Sequence, residues 1–215
     1  MLLAFKDNLS AFKFVLASAS PRRKELLETC GIPCCVLKMT IDENLPFDQS
    51  DSCGSYVEAV ARYKAMSAVQ QLVSDNPVGK NFDVLIAADT MIFFAGELVG
   101  KPRDAEDAVR ILSRLSGKSH QVITGVCMCF NRPGCSESSI QSFHEITTVK
   151  MSTLDTATIR AYVDSGEPLD KAGAYGIQGL GCSLIEKIEG DYFNVVGLPV
   201  HRVCSAIRSF LLGLS

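Results

Sequence analysis

Two runs constrain the fold most: Phe14-Val15-Leu16-Ala17 and Val84-Leu85-Ile86-Ala87-Ala88 are apolar throughout and show no polar face. Short, uniform runs of this kind suit strands buried inside a sheet. Around them lie stretches of helical periodicity. Residues 55–73 carry an apolar stripe at Val57, Val60, Ala61, Ala68 and Leu72, and the stretch behind Asp104 carries Ala108, Ile111, Leu112 and Leu115. A last helix opens at Pro199, with Val200, Val203, Cys204, Ile207 and Leu211 inward. Further strands are expected at 34–37, 120–130, 143–151 and 184–188, with a hairpin of 91–94 against 98–99. Ser152 and Asp155 form a capping-box-like start for a helix that turns Ile159, Tyr162 and Val163 inward. This alternation predicts an α/β fold.

At 215 residues the chain fits one domain or one two-lobed domain, long enough to bury roughly 70% of its unfolded surface. Its 21 basic and 24 acidic residues leave a net charge of −3, which argues against a broad nucleic-acid or membrane surface, so local basic clusters read as sites. No apolar run approaches the roughly 20 residues of a membrane span, and the opening Met1-Leu2-Leu3-Ala4-Phe5 is too short for a signal-peptide core. A cytoplasmic location is expected. Nine cysteines, an odd count without a secretion signal, point to reduced thiols, and Cys30, Cys34 and Cys35 lack the spacing of a familiar zinc site.

The turn Ala17-Ser18-Ala19-Ser20-Pro21-Arg22-Arg23-Lys24 places three cations at a helix start, facing the positive end of the macrodipole. Ser20 suits the N-cap, Pro21 the first helical position, and Cys30-Gly31 the end. Backbone N–H groups, two hydroxyls and two guanidiniums converging there suit a phosphate chain. A solvated basic turn beside a capped helix accounts for the same residues.

Asp89 follows the second apolar run and is expected at the carboxyl end of a strand, where open α/β sheets place ligands. If that strand neighbours the one before Ser18, carboxylate and cations meet at one sheet edge. An ordinary turn aspartate is the competing reading. Lys64 falls on the apolar stripe of residues 55–73, where a lysine either snorkels or is held for a purpose, whereas Glu58 and Arg62 read as an outward i,i+4 pair. The stretch from Gly96 to Lys101 is not a P-loop, and Gly176, Gly179 and Gly181 lack the dinucleotide order. His120, His144 and His201 are scattered.

Leu16-Ala-Ser-Ala-Ser-Pro-Arg-Arg-Lys-Glu-Leu-Leu27, Ala88-Asp-Thr90, Gly100-Lys-Pro102, Leu115-Ser-Gly117, Asp170-Lys-Ala-Gly-Ala-Tyr-Gly-Ile-Gln-Gly179, Gly190-Asp191 and Val196-Gly-Leu-Pro199 together resemble the Maf family of nucleoside triphosphate pyrophosphatases, in family order and over nearly the whole chain. The resemblance implies an elongated mixed sheet flanked by helices, in two lobes with a cleft, formed by a single domain over 14–212 behind an extension of 1–13. It also implies hydrolysis of a nucleoside triphosphate between the α- and β-phosphates with a divalent cation, Mg²⁺ or Mn²⁺, in a house-cleaning role. By family pattern Asp89 is the catalytic proton acceptor. Ser18, Arg23, Glu43, Lys64 and Lys101 match phosphate and metal residues, with Glu43 and Asp89 as metal ligands. Arg22, Thr90 and Gln178 are similar to the branch acting on dTTP and UTP, with CTP and modified pyrimidines as further candidates. A homodimer is expected, and no nucleic-acid or membrane partner. Departures are the extra N-terminal residues and a longer loop at 131–141.

The residue chemistry agrees with this. A triphosphate brings about four negative charges for Lys, Arg and a hard cation to offset, and a carboxylate must place or deprotonate water at the α-phosphorus. Ser20 adds a hydroxyl beside the phosphates. Gln178 offers both a donor and an acceptor to the edge of uracil or thymine. Two alternatives stand beside this reading: a pyrophosphatase for noncanonical purines such as ITP or XTP, and a nucleotide-binding regulator of cell division with little turnover.

Overall fold

A computed structural model describes residues 2–38, 52–75, 82–132 and 138–214. In chain order the elements are α1 (Lys6–Leu9), β1 (Phe14–Ala17), α2 (Pro21–Thr29), β2 (Cys34–Val36), α3 (Cys53–Asp75), β3 (Val84–Phe94) and β4 (Glu97–Val99). They continue with α4 (Ala105–Leu115), β5 (Ser119–Phe130), β6 (Ser139–Met151), α5 (Thr156–Asp164), β7 (Ile185–Glu189), α6 (Tyr192–Val196) and α7 (Val200–Leu211). The described strands form a seven-stranded sheet in the order β2-β1-β3-β5-β6-β7, with β4 paired to β3. It is mixed: β1 pairs in parallel with β2 and β3, while β3–β4 and β6–β7 are antiparallel. The expected α/β class is therefore found. No described helix is long and apolar enough to cross a membrane.

The chain divides into two compact units, one of Met1–Asp89, Gly125–His144 and Gly197–Ser215, the other of Thr90–Thr124 and Glu145–Val196. In the first, Ala17 of β1 lies opposite Ala87 of β3, and Val15, Ala17, Leu85 and Ala87 pack against Ala61, Ala65 and Ala68 of α3. Alanine at i, i+4 and i+7 gives α3 a flat face that lies close to the strands. Gly125 extends that approach to β5, since a Cβ there would sit 2.3 Å from the Val57 carbonyl oxygen. Leu2 and Leu9 are buried in the same unit, and Phe12 meets Phe210 edge-on with ring centroids 5.7 Å apart.

In the second unit the hairpin forms as expected, with Ile92 opposite Val99 and Phe94 opposite Glu97. Its two turn residues, Ala95 and Gly96, both have positive φ, as a tight turn matched to strand twist requires. Asp104 caps α4 by accepting the Asp107 N–H at 2.8 Å, and Ala108, Ile111, Leu112 and Leu115 enter the core beside Ile159, Tyr162 and Val163 of α5.

Several expectations need correction. Asp89 does not end a strand, because β3 runs eleven residues through it. The partner on one side changes there: pairing with β1 stops at Ala87 and pairing with β4 starts at Ile92. Asp89 and Thr90 fall in the interval, so the apolar pattern is interrupted while the extended backbone continues. The cap of α5 is Asp155, which accepts the Thr158 N–H at 2.7 Å, whereas the Ser152 N–H is used by the Leu184 carbonyl at 2.9 Å. Glu58 bonds His144 at 3.0 Å, across the unit rather than along its own helix. The strand expected at 143–151 begins at Ser139, and α3 begins at Cys53. The sequence also reads as a turn at 41–44, a loop at 46–54 and a break at 76–79; of these, residues 41–51 and 76–79 lie outside the described residues.

Candidate functional site

Parallel pairing of β1 with β3 fixes the first half of the site. With Ala17 opposite Ala87, the serine turn that follows β1 runs beside Ala88 and Asp89. Arg23, on the first turn of α2, is buried at 8% exposure and bridges these segments. Its Nη1 donates to Ser18 Oγ at 2.9 Å and to the Ala88 carbonyl at 2.8 Å, and its Nε donates to the Gly197 carbonyl at 2.8 Å. A guanidinium's fixed fork suits such a bracket, holding the turn, β3 and the entry to α7 in one geometry. Ser18 Oγ also accepts the Ser20 N–H at 3.3 Å. Ser20 holds the N-cap position with extended backbone, but its side chain makes no cap bond. Arg22 is half-buried beside it.

The second half comes from α3. Lys64 Nζ lies 2.7 Å from Asp89 Oδ1, and both side chains are only 10% exposed. Burying either charge alone costs several kcal/mol, so each requires the other. Of the two readings for a lysine on the apolar stripe, snorkelling or being held, the structure shows Lys64 held by a carboxylate. The other oxygen, Asp89 Oδ2, is buried and has no hydrogen-bond partner among the described residues. An unpaired carboxylate oxygen in a dry site can accept a proton from water or bind a hard cation. Tyr56 joins this corner. Burial first, and then the Asp89 charge, push its phenol above the ordinary tyrosine range. Sequence reading passed over Tyr56, yet it lies eight residues before Lys64, close to two helical turns, and so on the same face of α3.

Within the second unit, Thr90 Oγ1 is 3.0 Å from Thr124 Oγ1, which donates to the Asn194 carbonyl at 3.1 Å. Lys101 is exposed on the loop before α4. That loop is tied down where the Gly173 N–H donates to the Gly100 carbonyl at 2.9 Å and the Arg103 N–H to Asp107 at 3.1 Å. Side-chain bonds from Arg110 and a backbone bond from Arg103 hold the Asp107 carboxyl down at about 2. Gln178 is exposed and extended, followed by Gly179 at positive φ. The structure thus joins Ser18, Arg23, Lys64 and Asp89 through direct bonds and short backbone links, and carries Thr90, Lys101 and Gln178 on the other unit.

Glu43, expected as a metal ligand, lies outside the described residues. Among the described residues no three His, Cys, Asp or Glu side chains gather as a metal group. Asp89 Oδ2 still fits the chemistry of a hard cation, as an unpaired anionic oxygen.

Comparison with known proteins gives the context of this geometry. Curated relatives include a dTTP/UTP pyrophosphatase of Halalkalibacterium halodurans, 41% identical over 194 residues that cover 90% of this chain and 94% of the relative. Another dTTP/UTP pyrophosphatase, from Syntrophomonas wolfei, is 45% identical over 87% of this chain and 92% of its own length. A third, from Acetivibrio thermocellus, is 43% identical over 92% of this chain and 95% of its own length. Residues 13–210 match the family described as Maf-like protein, a stretch that holds every residue of the site described above, and the chain belongs to that family.

Proposed function

We propose that this protein is a nucleoside triphosphate pyrophosphatase acting on dTTP and UTP. The observation that carries the mechanism is the buried Lys64–Asp89 pair, whose carboxylate keeps one oxygen unpaired. Relatives named for the activity cover nearly all of both chains and support the substrate class.

In the proposed reaction a water oxygen attacks the α-phosphorus, its proton passes to Asp89 Oδ2, and the bond from that phosphorus to the bridging oxygen breaks to release pyrophosphate. Lys64 fixes the rotation of the carboxylate by holding Oδ1, so Oδ2 stays aimed and its charge stays balanced. Ser18, Ser20, Arg22 and Arg23 are proposed to face the phosphates and base, with Arg23 acting largely by keeping the turn in place, since three of its bonds go to the protein. Lys101 is proposed to offset phosphate charge, and Thr90 and Gln178 to read the base. Asp89 with Glu43 would hold Mg²⁺ or Mn²⁺, which supplies phosphate charge neutralisation and a more acidic water. A cytoplasmic homodimer rests on the resemblance, and light scattering tests the dimer.

The test is turnover of dTTP, UTP, CTP, GTP, ITP and XTP with Mg²⁺ and Mn²⁺, quantifying monophosphate and pyrophosphate. Preference for dTTP and UTP is expected. Faster ITP and XTP turnover would replace this reading with a purine house-cleaner, and tight binding without pyrophosphate release would make the protein a regulator.

A further inference from the structure

The glycine-dense loop around Gln178 closes on one carboxylate. Glu167 Oε2 accepts the Leu180 N–H at 2.8 Å, and Oε1 accepts the Gly181 N–H at 3.1 Å and the Tyr162 hydroxyl at 2.9 Å. The Tyr162 oxygen in turn accepts the Gly176 N–H at 3.1 Å. Both ends of residues 176–181 therefore hang from a single acid–phenol pair, with Gln178 between them. The loop fits only because it lacks side chains at the pinch. A Cβ on Gly179 would lie 2.6 Å from Glu167 Oε2, and one on Gly181 would lie 2.3 Å from the Gly176 carbonyl and 2.5 Å from the Tyr162 hydroxyl. Burial raises the Glu167 carboxyl, but the two backbone N–H bonds and the phenol outweigh it and hold the group below the usual glutamate range. Glu167 thus stays an anion and acts as acceptor to all three donors.

We infer that Glu167 is the positioning residue for base selection, setting the reach of Gln178 through the Leu180, Gly181 and Tyr162–Gly176 bonds. This rests on the proposal that Gln178 reads the base. Glutamine at 167 would turn an NH₂ toward a backbone N–H and open the pinch, while the catalytic carboxylate is elsewhere in the sequence and keeps its partner.

The experiment measures kcat and KM for UTP, dTTP, CTP and GTP in the parent, Glu167→Gln, Tyr162→Phe, Gln178→Ala and the double variant Glu167→Gln/Gln178→Ala. Expected is a rise in KM for UTP of about tenfold in Glu167→Gln, with little change in kcat, a fall in UTP-over-CTP preference to the Gln178→Ala level, and no further fall in the double variant. Tyr162→Phe gives a smaller shift in the same direction. Hydrogen exchange at the Gly176, Leu180 and Gly181 amides should quicken in Glu167→Gln. If Gln178→Ala leaves the preference unchanged, the base-reading proposal falls and this inference with it. If Gln178→Ala shifts the preference while Glu167→Gln and Tyr162→Phe leave it alone, or lower all four turnovers in proportion, the inference falls by itself. Should Glu167→Gln fail to fold, Tyr162→Phe decides alone, and an unchanged preference in it overturns the inference.

Discussion

The corner around Asp89 and the loop around Gln178 are built on opposite principles. At Asp89 the proposed proton acceptor is sealed: the Lys64–Asp89 pair is nine-tenths buried, and the Arg23 bracket includes two side-chain bonds to backbone carbonyls. At Gln178 the side chain proposed to read the base is exposed, and the buried investment goes into the loop's backbone through Glu167 and Tyr162. A proton acceptor gains from low dielectric and a fixed rotamer, whereas a base-reading side chain must stay open to its ligand. Changes at the corner should therefore alter turnover of every nucleotide, and changes at the loop should alter the choice among them.

The largest expected effect is in Asp89→Asn, which keeps the shape and removes the proposed proton acceptor. Pyrophosphate release should drop by about 10²- to 10⁴-fold for UTP and CTP alike. A drop confined to one nucleotide would break the comparison. Next comes Lys64→Met, which leaves Asp89 charged and alone in a dry site. Urea titration should register a loss of about 3–5 kcal/mol, and an unchanged midpoint would mean the pair carries no buried charge.

Acid should separate the regions in another way. Burial pushes His120 down to about 4, and its Nε2 lies 2.7 Å from the Tyr175 hydroxyl, one residue before Gly176. Between about pH 6.5 and 4 the unfolded chain binds the proton and the folded chain resists it, so stability falls as pH falls through that window. The loss approaches about 3 kcal/mol near pH 4. Urea midpoints followed against pH in the parent and in His120→Gln should diverge, the variant showing the flatter dependence. Equal slopes would remove His120 from the account. The smallest effect sharpens the contrast between two glycines. Gly125→Ala meets the Val57 carbonyl at 2.3 Å and Gly181→Ala meets the Gly176 carbonyl at the same distance, each costing about 1–3 kcal/mol. Kinetics should show Gly125→Ala slowing all substrates and Gly181→Ala blurring their discrimination.

The corner was more legible in the sequence than the loop, for physical reasons. The boundaries of β1 and α2 could be read directly because an apolar run, a serine, a proline and a glycine punctuate them in order. Lys64 stood out as a charge on an apolar stripe, and its partner proved to be the acid singled out separately. The continuation of β3 past Asp89 was hidden, since a change of strand partner leaves no apolar signature. Tyr56 was hidden because an aromatic on a helix face looks like core. Glu167 gave no periodic signal at all, because its partners are two backbone N–H groups of a short 3₁₀ turn and the Tyr162 hydroxyl, none more than fourteen residues away. The five-residue α6 is likewise too short for periodicity to announce.

The N-terminal helix has a practical consequence. Leu2, Leu3, Lys6 and Leu9 contribute part of the wall of a cavity of about 430 Å³ that Cys30 and Cys204 also line. The family match starts at residue 13, so a recombinant chain trimmed to that boundary would lose this part of the wall. The trimmed protein would uncover the buried Cys204, more of the half-buried Cys30 and an apolar hollow, and it is expected to oxidise and self-associate more readily.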